Sequence, residues 1–545
     1  MCVDNKIKEV YEAHKKSGLY GDSFENVIFK LTNAYDSFYL TAQRELIAEA
    51  KSLSLQHEKN NDLDHFDDYR HSYRACIKFV CEDCKHASFD NWISSKDIQN
   101  YQQEMRDAIG FNFIRNAIDQ YKVSKYSVEV IDGKLCFKRN KSNREFVYEL
   151  YSRRIADEIP GGKNNKDIFS VADFTLMLLR LSTGDLAFES KKLFKPTKPI
   201  LKRAIEDLKN RFAASLNADI LSLRPATDYS LDQYISVYCY LAAIGVYKTA
   251  YLLKLKDNNE HLQRPSILYP KERLISDVSN AVEIDENLVR KIIKDMTYDP
   301  DFHKDRITLY QPLFEVGDFF LCSTTMVFFS YVVDKAIKYY DFKGTNKADL
   351  SKYHNYMSEK MNHRMAENLP SMYPNLVVFE NAKLLMKNMT QAEVDLVLFD
   401  RNTKTGALIE LKDYAPIDNE GDTKKKDRNI NSAIKSRLEK DKRVIDNLEL
   451  FFEQNDIPKE YLDYQLSSLL VTSSYAGGID VQEKIKVLDE NLFYYLLRIH
   501  CGNFKEFLQF VEEGEFFNIL NEELLKEGNR CVNYTYKGII AEVDG

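Results

Sequence analysis

QAEVDLVLFDRNTKTGALIELKDY, residues 391–414, has the pattern of a β-hairpin with charged residues inside its strands. Two apolar runs flank a polar turn, and runs of Val, Leu and Ile are typical of interior strands. Asp395, Glu410 and Lys412 stand where a buried strand would carry Val or Ile. Either they cover a solvated face, or they form a site.

The three charged side chains converge if the hairpin pairs in one register. Side chains alternate between the two faces of a strand, and residues opposite each other project to the same side. A turn centred on residues 403–404 places Asp395 opposite Lys412, with Glu410 on the same face. A slip of one residue would separate the two acids. The other face would then carry Val394, Leu396, Leu398, Ile409 and Leu411.

Two carboxylates on one face repel each other unless a positive group lies between them. Mg²⁺ prefers carboxylate and water oxygens, and a neighbouring lysine can hold a water or offset charge on a phosphoryl group. The pattern therefore suits metal-assisted phosphodiester hydrolysis. The alternative is a cross-strand salt bridge on a solvated sheet face, which is common.

The segment around the hairpin predicts an α/β domain. A helix over residues 348–373 precedes a strand at 375–385, and the hairpin follows. A charged helix at 429–454 and an apolar strand at 466–474 come next, and IKVLDENLFYYLLRI is a further candidate strand. This order is typical of a separate domain with its own core.

Residues 350–500 resemble the PD-(D/E)xK superfamily, the restriction-endonuclease-like nucleases. The residues that carry the resemblance are Asp395 in AEVDLVLFD and Glu410 and Lys412 in GALIELKDY, with Glu367 as an acid on the preceding helix. The sequence departs from the family pattern because Val394, not proline, precedes Asp395. Where many relatives carry a Gln or Lys on the following helix, the choice stays open among Lys435, Arg437, Lys440, Lys442 and Arg443.

The resemblance implies a role for each site residue. Asp395 and Glu410 would hold Mg²⁺ or Mn²⁺ together with the backbone carbonyl of Leu411. Lys412 would position or activate the attacking water. Glu367 would bind a second metal ion or orient a water; alternatively it is a solvated helix acid.

A basic run follows the hairpin and offers a phosphate contact. The net charge of −8 argues against nucleic-acid binding by the chain as a whole, so such contact requires a local patch. The alternative is an ordinary solvated helix face. The candidate nucleic-acid-binding residues are Lys424, Lys425, Lys426, Arg428 and Lys435.

A chain of 545 residues is too long for one hydrophobic core. We expect a multidomain protein in which a mainly α amino-terminal region precedes a restriction-endonuclease-like α/β domain with a mixed central sheet. The predicted segments are a helical region with a hairpin at Asp132-Gly133 (1–165), a mainly helical region (166–340), the nuclease-like domain (345–505) and a C-terminal extension (506–545).

Two further features were weighed in the amino-terminal regions. The apolar stretch 234–253 contains Lys248 and several tyrosines, which favours a buried core helix over a membrane span. Cys76, Cys81, Cys84 and His86 lie close together, but no second pair of ligands follows at zinc-site spacing, so both structural thiols and zinc stay open.

The functional expectation is a cytoplasmic, Mg²⁺-dependent nuclease acting on DNA, in a bacterial restriction or anti-phage role by analogy. The alternatives are a ribonuclease, or a nucleic-acid-binding scaffold or sensor with an inactive nuclease-like domain. A partner protein that activates the enzyme or delivers substrate, and self-association, both stay open.

Overall fold

The computed structural model describes residues 2–52, 72–77, 79–81, 84–122, 126–139, 177–178, 181, 188–190, 195–214, 216–255, 264–303, 309–328, 332–387, 389–413, 420–473, 486–513 and 531–544. The chain is a multidomain protein of mixed helix and sheet. It divides into two compact units. Unit 1 comprises Met1–Lys138, Asn165–Leu350 and Cys531–Asp544, and unit 2 is centred on Ser351–Arg530. The four segment boundaries drawn from the sequence remain predictions.

Unit 1 is rich in helices, as its periodic apolar residues predicted. Pro199 lies in the first turn of the helix Lys198–Phe212, where its missing N–H costs nothing. The helices are α1 (Val3–Lys15), α2 (Phe24–Ser52), α3 (Ser95–Lys122), α4 (Lys198–Phe212), α5 (Ala218–Ser222), α6 (Leu231–Lys254), α7 (Lys271–Val282), α8 (Glu286–Asp295), α9 (Pro300–His303) and α10 (Val332–Lys343).

The largest sheet of unit 1 joins two hairpins that are far apart in sequence. The first, β1 (Tyr126–Ile131) and β2 (Lys134–Arg139), turns at Asp132 and Gly133, both with positive φ, so the predicted turn is confirmed. The second is β13 (Cys531–Tyr536) and β14 (Ile539–Asp544). β14 pairs in parallel with β2, which gives the strand order β1-β2-β14-β13.

Two smaller sheets complete the described strands of unit 1. β3 (Phe188–Ser190) pairs with β4 (Lys195–Pro196). β5 (Ile267–Pro270) pairs with β7 (Phe319–Cys322), which forms an antiparallel hairpin with β6 (Leu313–Val316). This hairpin turns at Gly317, with φ +54°.

Helix α6 is the apolar stretch that was weighed as a membrane span. Its length and composition would allow one, but its most apolar window is 94% buried inside the protein. A capping box closes its amino terminus, with Ser230 and Gln233 each satisfying a backbone N–H. Lys248 is buried with the helix and donates to the carbonyl of Ser266. The predicted buried helix is confirmed.

The cysteine cluster packs into apolar surroundings. Cys76 is fully buried, and Cys81 and Cys84 pack against the same core cluster. His86 pairs through Nδ1 with Glu25, at 2.8 Å. In the part of the chain that the structure describes, no group of three or more His, Cys, Asp or Glu side chains is placed to hold a metal ion.

Unit 2 is built on a five-stranded mixed sheet in the order β12-β11-β10-β9-β8. Strands β8 (Leu376–Met386), β9 (Met389–Asp400) and β10 (Thr405–Lys412) form an antiparallel meander. β11 (Gln465–Thr472) and β12 (Lys486–Asp489) continue it in parallel with β10. The helices are α11 (Lys347–Met372), α12 (Glu420–Asp446), α13 (Leu448–Gln454), α14 (Glu490–Ile499) and α15 (Phe504–Glu513).

Helices cover both faces of this sheet, as its apolar strands require. On one face, α11, α14 and α15 pack over Leu396, Leu398, Ile409 and Leu411. On the other, α12 and α13 pack over residues that include Val397, Phe399, Leu408 and Leu470. The alternation predicted for the hairpin is therefore confirmed except at Val394, which packs with Ala382 and Ala392 on the α12–α13 side.

The prediction of a strand across residues 485–499 was wrong beyond Asp489. The strand β12 ends there and α14 begins at Glu490. The Asp489 carboxylate accepts hydrogen bonds from the N–H groups of Asn491 and Leu492, which caps the helix. The apolar residues that follow have helical spacing.

Candidate active site

The hairpin that carries the three charged residues pairs two residues away from the predicted register. Asp400 lies opposite Thr405 and Leu396 opposite Ile409. Continued by one residue, this register sets Asp395 opposite Glu410, so the prediction that Asp395 faces Lys412 was wrong. The cause is a longer turn, in which the Asp400 carboxylate accepts from the N–H of Asn402 and the hydroxyl of Thr403. Because the slip is an even number, it does not by itself exchange the two faces of the strands.

The two strands separate directly beyond this point. The last β9–β10 pair is Leu396 with Ile409, and the next backbone donor on β10 is the N–H of Leu411. That N–H donates to the side-chain oxygen Oδ2 of Asp395, at 2.6 Å, and not to a backbone carbonyl of β9. The N–H and C=O of one strand residue point to the same side, so the Leu411 carbonyl faces the same opening as Asp395. We call this opening, formed by Asp395, Glu410, Leu411 and Lys412, the strand fork.

Glu410 is almost completely buried and is surrounded by cations. Lys412 Nζ lies 2.7 Å from Oε1, and NH1 of Arg437 lies 3.2 Å from Oε2. Lys440 reaches both oxygens at 3.5 Å. Burial favours the protonated form, but Lys412, Lys440 and Arg437 outweigh it and hold the pKa of Glu410 below its usual value. Glu410 is therefore ionised at neutral pH.

Asp395 is in the opposite electrostatic situation. Burial and the charge of Glu410 raise its pKa, while the Leu411 N–H and Lys412 lower it by less. Two adjacent carboxylates with opposite pKa shifts are a common feature of catalytic sites, although structural ion pairs also produce them. The pKa of Asp395 is raised first by burial and then by the neighbouring charge of Glu410.

These residues fit a metal ion of the Mg²⁺ class. The donors at the fork are two carboxylates and one backbone carbonyl, all oxygen, and Mg²⁺ is held by one or two protein carboxylates plus water. The three acids Asp395, Glu410 and Asp441 are balanced by the three cations Lys412, Arg437 and Lys440. A divalent ion would make this cluster positive, which favours an anionic substrate.

Glu367 was expected to act with this pair. In the structure its side chain is exposed, pairs with His363 Nε2 at 3.1 Å, and is not joined to Asp395 or Glu410 by a hydrogen bond. The residue of α11 that reaches β8 at the level of Asp395 is Asn362, which donates to Asn381 at 2.6 Å. The neighbouring β8–β9 pairs place Asn381 beside Asp395.

The sequence left five basic residues of helix α12 open as site residues, and two of them reach the site. Arg437 and Lys440 contact Glu410, whereas Lys435 and Lys442 are exposed and Arg443 donates to the carbonyl of Gln391. The spacing of residues along α12 indicated that position 437 is buried. Positions 430, 434, 437, 441 and 444 follow the apolar stripe of a buried helix face. A charged residue in such a stripe indicates a polar contact inside the protein.

The predicted phosphate-binding residues are described only in part. Lys424, Lys425 and Lys426 belong to α12, but their side chains lie outside the described part of the structure. Arg428 and Lys435 are exposed on the same helix. Their role in binding nucleic acid stays a prediction.

No family model, curated protein or solved structure matches this chain.

Proposed function

We propose that this chain is a metal-dependent nuclease of the PD-(D/E)xK, restriction-endonuclease-like superfamily that hydrolyses phosphodiester bonds, with DNA as substrate. The observation that carries the proposal is the strand fork, where Asp395 meets Glu410, Leu411 and Lys412 across two diverging strands. The element order also supports it: one helix, a three-stranded meander, a crossover helix and a parallel strand. The strand ends of such a sheet are a common place for ligands.

Asp395, Glu410 and the Leu411 carbonyl would hold Mg²⁺ or Mn²⁺. Such an ion lowers the pKa of a bound water and offsets charge on the phosphoryl oxygens. Asp395 is fixed by the Leu411 N–H, so its second oxygen, Oδ1, is the one available as a ligand. Glu410 is held in place by α12.

Lys412 is the residue that would position the attacking water. Its side chain is about one-third exposed, so its ammonium group can leave Glu410 and reach a substrate phosphate or a water. Addition of this water to phosphorus breaks one P–O ester bond, and the departing oxygen takes up a proton. The products are a phosphate monoester and a free hydroxyl. Lys440 lies on the same side and can contact the phosphate.

A second candidate function rests on the same cluster. Glu410 is already contacted by three cations. If these contacts exclude a metal ion, unit 2 is a nucleic-acid-binding scaffold or sensor rather than an enzyme. Binding would then be independent of metal and would survive Asp395→Asn. A ribonuclease is a variant of the first proposal, because a metal site reads phosphate rather than sugar.

The cellular setting is proposed by analogy alone. A nuclease domain joined to a large unrelated unit fits a cytoplasmic restriction or anti-phage effector, whose other unit selects the substrate or restrains the nuclease. An activating partner protein and self-association belong to the same proposal.

The test is incubation of plasmid DNA, single-stranded DNA and RNA with the full chain and Mg²⁺. The wild type is compared with Lys412→Ala and with Lys459→Ala, an exposed lysine of the same unit. We expect Lys412→Ala to lose cleavage by about 100-fold or more, as expected when a group that stabilises the transition state is removed, and Lys459→Ala to match the wild type. Equal cleavage by all three proteins would remove the catalytic assignment. Metal-independent binding without cleavage would favour the scaffold.

A further inference from the structure

Helix α12 carries an ion pair in the middle of its apolar stripe. The stripe consists of five residues spaced four, three, four and three apart, each less than 5% exposed: Ile430, Ile434, Arg437, Asp441 and Val444. Arg437 and Asp441 form a close ion pair one turn apart. At these two positions a helix packed on a sheet would ordinarily carry Leu or Ile.

Stability does not explain this pair. Arg437 is completely buried, and its Nε has no hydrogen-bond acceptor among the residues that the structure describes. The desolvation of two buried charges commonly equals or exceeds their attraction, and apolar replacements of similar volume are often neutral or stabilising. A buried pair at this place therefore indicates a task other than holding α12 on the sheet.

The contact that suggests the task runs from Arg437 to Glu410. NH1 of Arg437 lies 3.2 Å from Oε2, while Lys412 lies 2.7 Å from the other oxygen, Oε1. The cations around Glu410 differ in freedom. Arg437 is enclosed and anchored by Asp441, whereas Lys412 and Lys440 are each about one-third exposed. The two lysines can move away without opening the core, and Arg437 cannot.

We propose that Arg437, anchored by Asp441, is a positioning residue that fixes Glu410 through Oε2 and leaves Oε1 as the single oxygen offered to a metal ion. This inference rests on the proposed nuclease function. It makes Glu410 a one-oxygen ligand, and it makes departure of Lys412 and Lys440 from Oε1 the event that opens the metal site. Residues that orient a ligand in this way typically change metal affinity by about 10- to 100-fold when they are replaced.

The test replaces both members of the pair, with Arg437→Met and Asp441→Leu in one chain. Removal of one positive and one negative charge leaves the net charge of the cluster unchanged, so a change in metal affinity reports geometry. The control is the corresponding double replacement of another Arg–carboxylate pair of unit 2, Arg364→Met with Glu490→Leu, which joins α11 to α14. Mn²⁺ binding is measured by titration calorimetry on the full chain, together with the melting temperature.

We expect the Arg437/Asp441 double variant to melt at the wild-type temperature or above it and to bind Mn²⁺ at least tenfold more weakly. The Arg364/Glu490 variant should keep its Mn²⁺ affinity. If the double variant fails to fold, Arg437→Lys is the second variant that tests the positioning role. It keeps the charge but has one nitrogen in place of the planar guanidinium, whose NH1 and NH2 contact Glu410 and Asp441 separately, so its Mn²⁺ affinity should also fall.

Unchanged Mn²⁺ affinity in either Arg437 variant overturns the positioning role, as does a lower melting temperature with full affinity. The proposed nuclease function fails by a different result. If Asp395→Asn and the wild type bind Mn²⁺ equally, or neither binds, there is no metal site at the fork, and the positioning role falls with it.

Discussion

The backbone N–H of Leu411 donates to Oδ2 of Asp395 across the point where β9 and β10 separate. A hydrogen bond to a carboxylate is stronger than one between neutral groups. This bond therefore closes the ladder at its open end and fixes one acid of the site. The second acid, Glu410, precedes Leu411 in the chain, so one short segment controls both carboxylates.

Asp395→Asn should remove metal binding and raise stability. The raised pKa of Asp395 shows that its charge is disfavoured by burial and by Glu410. An Asn keeps the acceptor for the Leu411 N–H and removes the repulsion. We expect about 1 kcal/mol of added stability without metal, within the usual range for a stabilising substitution. Thermal unfolding in EDTA measures it, with Glu393→Gln as control, whose partly exposed side chain pairs with Lys383, and a lower melting temperature than wild type would contradict it.

His14 should make unit 1 less stable in mild acid. It is buried against Phe111 and bonded to Tyr20 and Tyr536, and burial lowers its pKa to about 4. An unfolded His titrates near 6.5, so between pH 6.5 and 4 the unfolded chain binds the proton and stability falls with pH. The full loss is about 3 kcal/mol.

His14→Asn lacks this loss, so the stability difference between wild type and variant should shrink as pH falls from 7 to 4. Urea unfolding followed by the fluorescence of Trp92, the single tryptophan and part of unit 1, reports it. Carboxylate groups titrate in the same way in both proteins, so their effect cancels in the stability difference. A constant difference across this range would show that His14 does not titrate as expected.

Gly406→Ala should destabilise unit 2. An added Cβ would lie 2.7 Å from the Leu398 carbonyl oxygen and 2.8 Å and 2.9 Å from side-chain atoms of Leu466 and Phe399. Because one of these contacts is backbone, the strands must shift, and we expect a cost of about 1–3 kcal/mol. Gly21→Ala is the control, since its nearest contact would be 3.4 Å. Chemical denaturation measures the free energy of unfolding of both variants. Equal stability would show that a Cβ at position 406 meets no close contact.

Lys404→Gly should stabilise the same hairpin. Lys404 has a φ of +54° at the end of the turn, a conformation that costs residues other than glycine about 1–2 kcal/mol. We expect a net gain of about 1 kcal/mol after the extra freedom of glycine in the unfolded chain is counted. Thr403→Gly, the adjacent control, should lose stability because Thr403 donates a 2.6 Å bond to Asp400. A loss of stability in both variants would show that the backbone at Lys404 is not strained.

The sequence predicted the faces of the hairpin better than its register. The period of a strand is two, so apolar alternation assigns each residue to a side but does not distinguish registers that differ by two. The turn decided the register, through the carboxylate of Asp400, which lies at a position that alternation treats as ordinary. Local side-chain bonds of this kind leave little trace in hydrophobic patterns.

The site residues that lie on one hairpin could be predicted from the sequence. Those that helix α12 contributes could not be selected. Arg437 and Lys440 depend on how α12 crosses the sheet, which one sequence does not specify. The stripe of α12 nevertheless contained the information that Arg437 and Asp441 are buried. Glu367 was placed by family analogy, and its partner in the structure is His363.

The parallel pairing of β14 with β2 has a consequence for how the chain is made. Ala541 pairs with Leu135, so a sheet begun early in synthesis is completed by strands translated hundreds of residues later. At about 5–20 residues per second, a ribosome leaves the edge of β2 without this partner for tens of seconds. An unpaired strand edge is a site for association with other chains. We expect nascent chains that lack residues 531–544 to be better chaperone substrates than released full-length chains.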